Sequence, residues 1–377
     1  MFNRDRSPEM GQEKVARERA GLTLAPQFTS AAQALFFLLL VVTALSLPIL
    51  IDRTGFVTRA SSYDMMPEQL GAYSYMKKEI FETSGDIDIA FVGSSVLWNA
   101  VDTPAVQKEL SHALGRDAKV VTLGFNFNGA DIPYTILRDL VERRRVRMVI
   151  FSVPRLVFTE GPSTTSFRFL RYSENPEVVA GLPLKSQMSL YACTVLRSPQ
   201  DMLSMIRTTS SEPSRYAGDL GANKELLGMN RDPKSFVRFA PQPRTLTAAE
   251  LTYSPESRRR FEFTNEELTA HQDHYLRHLV QLLDQHGIPL VILNVPQYSE
   301  RSNDKVVERF DWSERFGSEI PLIGISPKEL FTGLDEKEIE LLHCDREHFN
   351  KNGNEYFTKT ILPALLTVYK DHASKDF

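Results

Sequence analysis

Cysteine is nearly absent from this chain, with only Cys193 and Cys344 among 377 residues. Two such residues build neither a disulfide framework nor a cysteine zinc site, and they leave the redox compartment open. Cys344 adjoins Asp345, but no pattern around it marks a nucleophile, and a small half-buried side chain is the plainer reading. A surplus of positive charge is missing too. The formal net charge is -4, whereas a general nucleic-acid binder carries a basic footprint. No internal repeat or low-complexity tract interrupts the chain. Hydrophobic residues make up 42% and charged residues 24%, which argues against wholesale disorder.

One absence is local. No charged residue lies between Gly21 and Ile51, and Ala31–Ile51 is almost continuously apolar. As a helix its 21 residues would rise about 31 Å at roughly 1.5 Å each, matching a hydrocarbon core of about 30 Å. A buried core helix would show a polar face, and a cleaved signal peptide would have a shorter leader and a small-residue cleavage site. Neither fits. The expectation is an uncleaved single-pass anchor over 31–51 behind a cytoplasmic tail over 1–30. Lys14, Arg17 and Arg19 precede the segment and Arg53 and Arg59 follow it. That bias puts the N-terminus inside and the domain over 60–377 on the periplasmic or extracellular side of the cytoplasmic membrane.

Beyond the anchor, short runs rich in Val, Ile and Phe alternate with amphipathic stretches. Ile87–Val92, Lys119–Leu123, Met148–Val153, Pro289–Val295 and Ile320–Ile325 read as strands buried on both faces, as in a parallel sheet covered by helices. Helices are expected at Thr103–Leu114, Asp131–Arg145, Thr264–His286 and Asn350–Tyr369. The third opens on the capping box Thr264-x-x-Glu267 and closes at Gly287. This alternation predicts an α/β fold with a five-stranded parallel sheet, helices on both faces and right-handed crossovers. From Phe158 to Phe263 the rhythm breaks into repeated proline turn signals. That interval reads as an insertion or cap, of a kind that often lines a cleft.

The first strand runs into Gly93-Ser94-Ser95, and open α/β sheets bind ligands beyond the carboxyl ends of their strands. Such a turn alone is weak evidence. Near the C-terminus, Asp345 and His348 are three apart, so a helical turn would place them on one side. A carboxylate there can accept the imidazole N–H and leave the other ring nitrogen free to take a proton from a serine.

Together these residues resemble the SGNH (GDSL-like) hydrolase superfamily. That family has its nucleophilic serine at the third position of a Gly-Asp-Ser turn after the first strand, and an Asp-x-x-His before the final helix. The resemblance covers roughly residues 85–155 and 264–370. It implies a flavodoxin-like fold and maps the nucleophile to Ser95, with Ser94 in the aspartate's place and Asp345 and His348 completing the triad. Gly353, five residues after the histidine, also matches. The loop over 123–130 would supply a backbone donor for the oxyanion beside that of Ser95, with Gly129 the first choice and Gly124 the second. The family's asparagine after the third strand is missing, because Ser152-Val153-Pro154-Arg155 stands there. Asn126, Asn128 or Arg155 is the substitute, or the enzyme is slower and specialised. Ser94 and Trp98 are candidates to line the cleft, although an aromatic just after the turn is equally explained by packing.

With its anchor the chain is similar to cell-surface proteins that O-acylate polymers, such as those acetylating alginate or cellulose and the D-alanyl transfer protein of teichoic acid. The expectation is a serine esterase or O-acyltransferase acting on acyl, chiefly acetyl, esters of a cell-surface polysaccharide. It would proceed through acyl-Ser95, and a multi-spanning acyltransferase is a possible membrane partner. Nothing calls for a cofactor or metal. The competing reading is a non-catalytic SGNH-fold component that binds glycan or assembles an export complex.

Other candidates read more plainly. His271, His274 and His278 share a helical face with no accompanying carboxylate motif, so a solvated or packing face is expected. His343 is a poorer partner for Asp345 than His348. Arg143, Arg144, Arg145 and Arg147 complement a helix C-terminus, with contact to an anionic lipid or polymer as the alternative, and Arg258-Arg259-Arg260 reads as a solvated loop, with local nucleic-acid binding as the alternative. An imidazole base ordinarily titrates near 6.5, so activity should fall below about pH 6.

Overall fold

A computed structural model describes residues 28, 30–53, 58–64, 66, 71–126, 129–152, 176–192, 241, 261–263, 268–308, 311–316 and 320–373. Two compact units divide the chain, one over Met1–Arg53 and the other over Thr54–Phe377. The first contains helix α1 (Ala31–Arg53), on which Leu35, Phe36, Leu38 and Leu39 are more than half exposed. Among the described residues no helix is long and apolar enough to cross a membrane.

The second unit is α/β. Strands β1 (Ile89–Ser94), β2 (Val120–Phe125), β3 (Val149–Ser152), β5 (Leu290–Leu293) and β7 (Leu322–Ile323) form one sheet in the order β2-β1-β3-β5-β7. Every pairing in it is parallel. A smaller parallel pair joins β4 (Phe261–Phe263) to β6 (Val306–Glu308). All five expected strands are present, with ends shifted by one to two residues. Strand residues alternate between two apolar layers, which is why these runs carry almost no charge. Ala90, Val92, Leu123 and Phe151 face one layer, and Ile89, Phe91, Ile150 and Val291 the other.

The helices that matter for the site are α2 (Ser95–Ala100), α3 (Thr103–Leu114), α4 (Asp131–Arg143), α5 (Ala270–Gln285) and α6 (Lys351–Ala373). Leu137 and Leu140 of α4 and Leu276 and Leu279 of α5 cover one face, while Val106 and Leu110 of α3 and Phe357 and Leu365 of α6 cover the other. Three boundaries differ from the sequence reading. Helix α5 starts at Ala270 with Thr269 as its cap, the Thr269 hydroxyl accepting the Gln272 amide. The expected Thr264-x-x-Glu267 box lies outside the described residues. Helix α4 stops at Arg143 because Arg144 turns extended. Helix α6 begins after Asn350, whose Oδ1 accepts the amides of Asn352 and Gly353, and runs to Ala373. Gly287, with φ of 64°, follows α5 in the left-handed conformation expected of a helix end.

Most of the expected insertion over 158–263 lies outside the described residues. Within it, helix Pro176–Ala180 touches α5, where His274 Nε2 is 2.7 Å from the Val178 carbonyl oxygen.

Candidate active site

Strand β1 passes directly into α2 with Ser95 as the first helical residue, preceded by Ser94 in an extended conformation. Gly93 permits this abrupt turn. A Cβ there would lie 2.8 Å from Leu97 Cδ2 and 3.4 Å from Ser152 Cβ, so a side chain would block the return of α2 over the strand. Ser95 is therefore held half-buried at the carboxyl edge of the sheet. The Asn99 side-chain amide donates to the Ser95 carbonyl at 2.7 Å and ties down the short helix.

His348 reaches the same point from the far end of the chain. Its Nε2 is 2.8 Å from Ser95 Oγ, and its Nδ1 lies 2.8 and 3.0 Å from the two Asp345 oxygens. The Asp345–His348 segment is a loop of bends, not the helical turn expected from the spacing. It is closed by a bridge between His343 and Phe349 and by the Cys344 amide donating to the His348 carbonyl. Asp345 shapes this loop as well, because its Oδ1 accepts the amides of Glu347 at 2.7 Å and His348 at 2.8 Å. Gly353 lies against the Leu342 carbonyl and the Phe349 ring with no space for a Cβ, and so seats the loop on α6.

The electrostatics follow from these contacts. Partial burial alone would push the Asp345 carboxyl up. The hydrogen bond from the His348 ring and the two amide bonds outweigh it and hold the carboxyl at about 2. The Asp345 side chain is 55% exposed and that of His348 21%. His343 is buried, and desolvation depresses its imidazole to about 4. With Nδ1 on the Ile339 carbonyl and its ring against Phe349, His343 packs instead of competing as base.

The other expected site residues fall into three groups. Gly129 lies beyond the end of β2, at the sheet edge where Ser95 also stands, and is buried; Asn126 is half-buried. Gly124 lies inside β2 opposite Gly93, and a Cβ on it would meet Trp98 Cβ at 2.5 Å. Trp98 is 4% exposed, so it is a packing residue seated on that glycine and does not line a cleft. Ser94 is also buried. Asn128, Arg155 and Cys193 lie outside the described residues, as do Arg258, Arg259 and Arg260.

Sequence reading missed a buried pair beside this edge. His271 Nε2 is 3.2 Å from Asp131 Oδ2, with both side chains fully buried, so His271 is packed, while His274 and His278 on the same face are half-buried. Among the described residues, no group of three or more His, Cys, Asp and Glu side chains is placed to hold a metal ion.

A cavity of about 470 Å³ lies at the opposite, amino edge, lined by Arg143, Arg145, Arg147, His286 and His372 among others. Three helices, α4, α5 and α6, end there, and cations offset their negative ends. Arg144 donates to the carbonyls of Glu79, Ser84 and Gly85, and Arg147 pairs with Asp86. Arg144 and Arg147 are thus tied to the fold, while Arg143 and Arg145 are exposed.

The described domain is thus an α/β protein with a parallel five-stranded sheet, bearing a serine, a histidine and an aspartate in hydrogen-bonded series at its carboxyl edge. No protein-family model, curated protein or solved structure matches the chain.

Proposed function

We propose that this chain is a membrane-anchored serine esterase or O-acyltransferase of the SGNH type, acting on acyl esters of a cell-surface polysaccharide. The observation that carries this reading is the continuous series from Ser95 Oγ through His348 Nε2 and Nδ1 to Asp345, with spacings of 2.8 Å on both sides of the ring. Such a series activates a hydroxyl for acyl transfer. Its serine and histidine come from positions 253 residues apart. The sheet order β2-β1-β3-β5-β7, with the serine after β1 and the histidine before the last helix, also agrees with an SGNH arrangement.

In the proposed reaction His348 Nε2 accepts the Ser95 proton as Oγ attacks the ester carbonyl carbon. Amides of Ser95 and Gly129 stabilise the oxyanion. The imidazolium, steadied by Asp345, returns the proton to the leaving alcohol as the carbonyl–oxygen bond breaks. Acyl-Ser95 is then taken by water or by a sugar hydroxyl, which gives up its proton to His348 in turn. The apolar run over 31–51 supports a single-pass anchor, and the flanking Lys and Arg residues support a catalytic domain outside the cytoplasmic membrane.

The test uses the detergent-solubilised full chain with a fluorophosphonate probe. Labelling of the wild type that disappears in Ser95→Ala supports the enzyme. A wild type that stays unlabelled overturns it and favours the non-catalytic glycan-binding reading. Supplying an acyl ester with and without a polysaccharide acceptor then separates transferase from hydrolase.

A further inference from the structure

We infer that Gln272 is a positioning residue for the oxyanion-stabilising loop, an inference that rests on the esterase or acyltransferase reading. The loop over 126–130 leads from β2 to α4 and contains Gly129, the proposed donor. Its end lacks the usual support, because Ala130 occupies the cap position of α4 and has no side chain able to cap it. The support comes instead from α5. The Ala130 amide donates to Gln272 Oε1 at 2.6 Å, and Gln272 is 0% exposed.

A second tie lies one residue along on each side. Asp131 Oδ2 meets His271 Nε2 while Oδ1 accepts the Ile132 amide. Two consecutive residues in the first turn of α5 therefore grip two consecutive residues at the start of α4. All four are almost completely buried. A buried amide without an acceptor is strongly disfavoured, so the Gly129–Ala130 peptide is held where its N–H meets Gln272. Fixing that peptide restricts Gly129 and so steers its own N–H. Removing an oxyanion donor typically costs about 10²–10³ in rate, and a misplacement of about 1 Å can cost 10²-fold.

Gln272→Met keeps the length and apolar stem of the side chain but removes the acceptor. Gln272→Asn withdraws the carbonyl by one methylene without burying a charge, and carries the test if the first variant does not fold. The full-length protein would be assayed for kcat and KM with p-nitrophenyl acetate, alongside Ser95→Ala. Hydrogen exchange would be followed by mass spectrometry in the peptide spanning 124–131. The expected result is a kcat lower by about 10–100-fold, scaled from a partial loss of donor alignment. KM should stay within about twofold, since only transition-state binding is affected, and the loop peptide should exchange faster. A folded variant with wild-type kcat and wild-type loop exchange overturns the inference alone. Absence of any Ser95-dependent turnover in the wild type removes the parent reading and this inference with it.

Discussion

Replacing Asp345 with asparagine probes the proposed mechanism at its most exposed joint. The asparagine carbonyl can still accept the Glu347 and His348 amides now held at 2.7 and 2.8 Å, so the loop should keep its shape. Its NH₂ group then faces His348 Nδ1, where the carboxylate accepted a hydrogen at 2.8 Å. The ring responds by carrying its hydrogen on Nε2, the atom 2.8 Å from Ser95 Oγ. In that tautomer it can donate to the serine but cannot take its proton. With a buried orienting carboxylate the same exchange lowers kcat by about 10⁴. The Asp345 side chain is 55% exposed, so water screens the interaction and roughly 10²–10³ is expected, about 3–4 kcal/mol of transition-state stabilisation. Hydrolysis of p-nitrophenyl acetate, followed from pH 5 to 9 in both proteins, measures it. Because the Asp345 carboxyl is held at about 2, it stays charged across that range and adds no inflection of its own. Its contribution to stability is present above the ordinary carboxyl value and is lost only as pH falls through about 2. A variant retaining a third or more of wild-type kcat would refute the orienting role.

Two further outcomes test the packing around the site. His343, buried and held at about 4 against an ordinary 6.5, makes the unfolded chain bind a proton more readily than the folded one between those values. Stability should fall as pH drops from about 6.5 to about 4, by roughly 3 kcal/mol in total. His343→Phe should flatten that part of a chemical-denaturation series, and an unchanged slope would show that other groups set it. Gly124→Ala places a methyl group where Trp98 Cβ would be 2.5 Å away. Overpacking of this kind costs about 1–3 kcal/mol, visible as a lower melting temperature. A melting temperature at or above that of wild type would mean that Trp98 is free to move aside.

The five strands were legible because each is buried on both faces, which forces uninterrupted apolar runs such as those within Ile89–Ser94 and Leu290–Leu293. Helix ends were less legible. Thr264 and Glu267 satisfy the capping-box pattern in sequence, yet α5 begins at Ala270 with Thr269 as its cap, since a cap pattern states what a residue can do and not where packing starts the helix. Trp98 shows the same limit. Its place beside the serine turn suited a cleft as well as a core, and only its seat on Gly124 decides for the core.

The catalytic candidates divide in the same way. Ser95, Asp345 and His348 were singled out from sequence because the glycine-led turn and the Asp-x-x-His block are local patterns that together resemble the SGNH family. The conformation joining Asp345 to His348 was not, because a bend loop and a helical turn share that spacing. The pairings of His271 with Asp131 and of Gln272 with Ala130 left no local mark, since the partners lie about 140 residues apart. Sequence by itself determined the number and kind of elements and the residue types poised for chemistry, as periodicity and short-range sterics act within a few positions. Tertiary structure alone decided which of them meet, because burial and hydrogen-bond pairing are settled between segments that only the folded chain brings into contact.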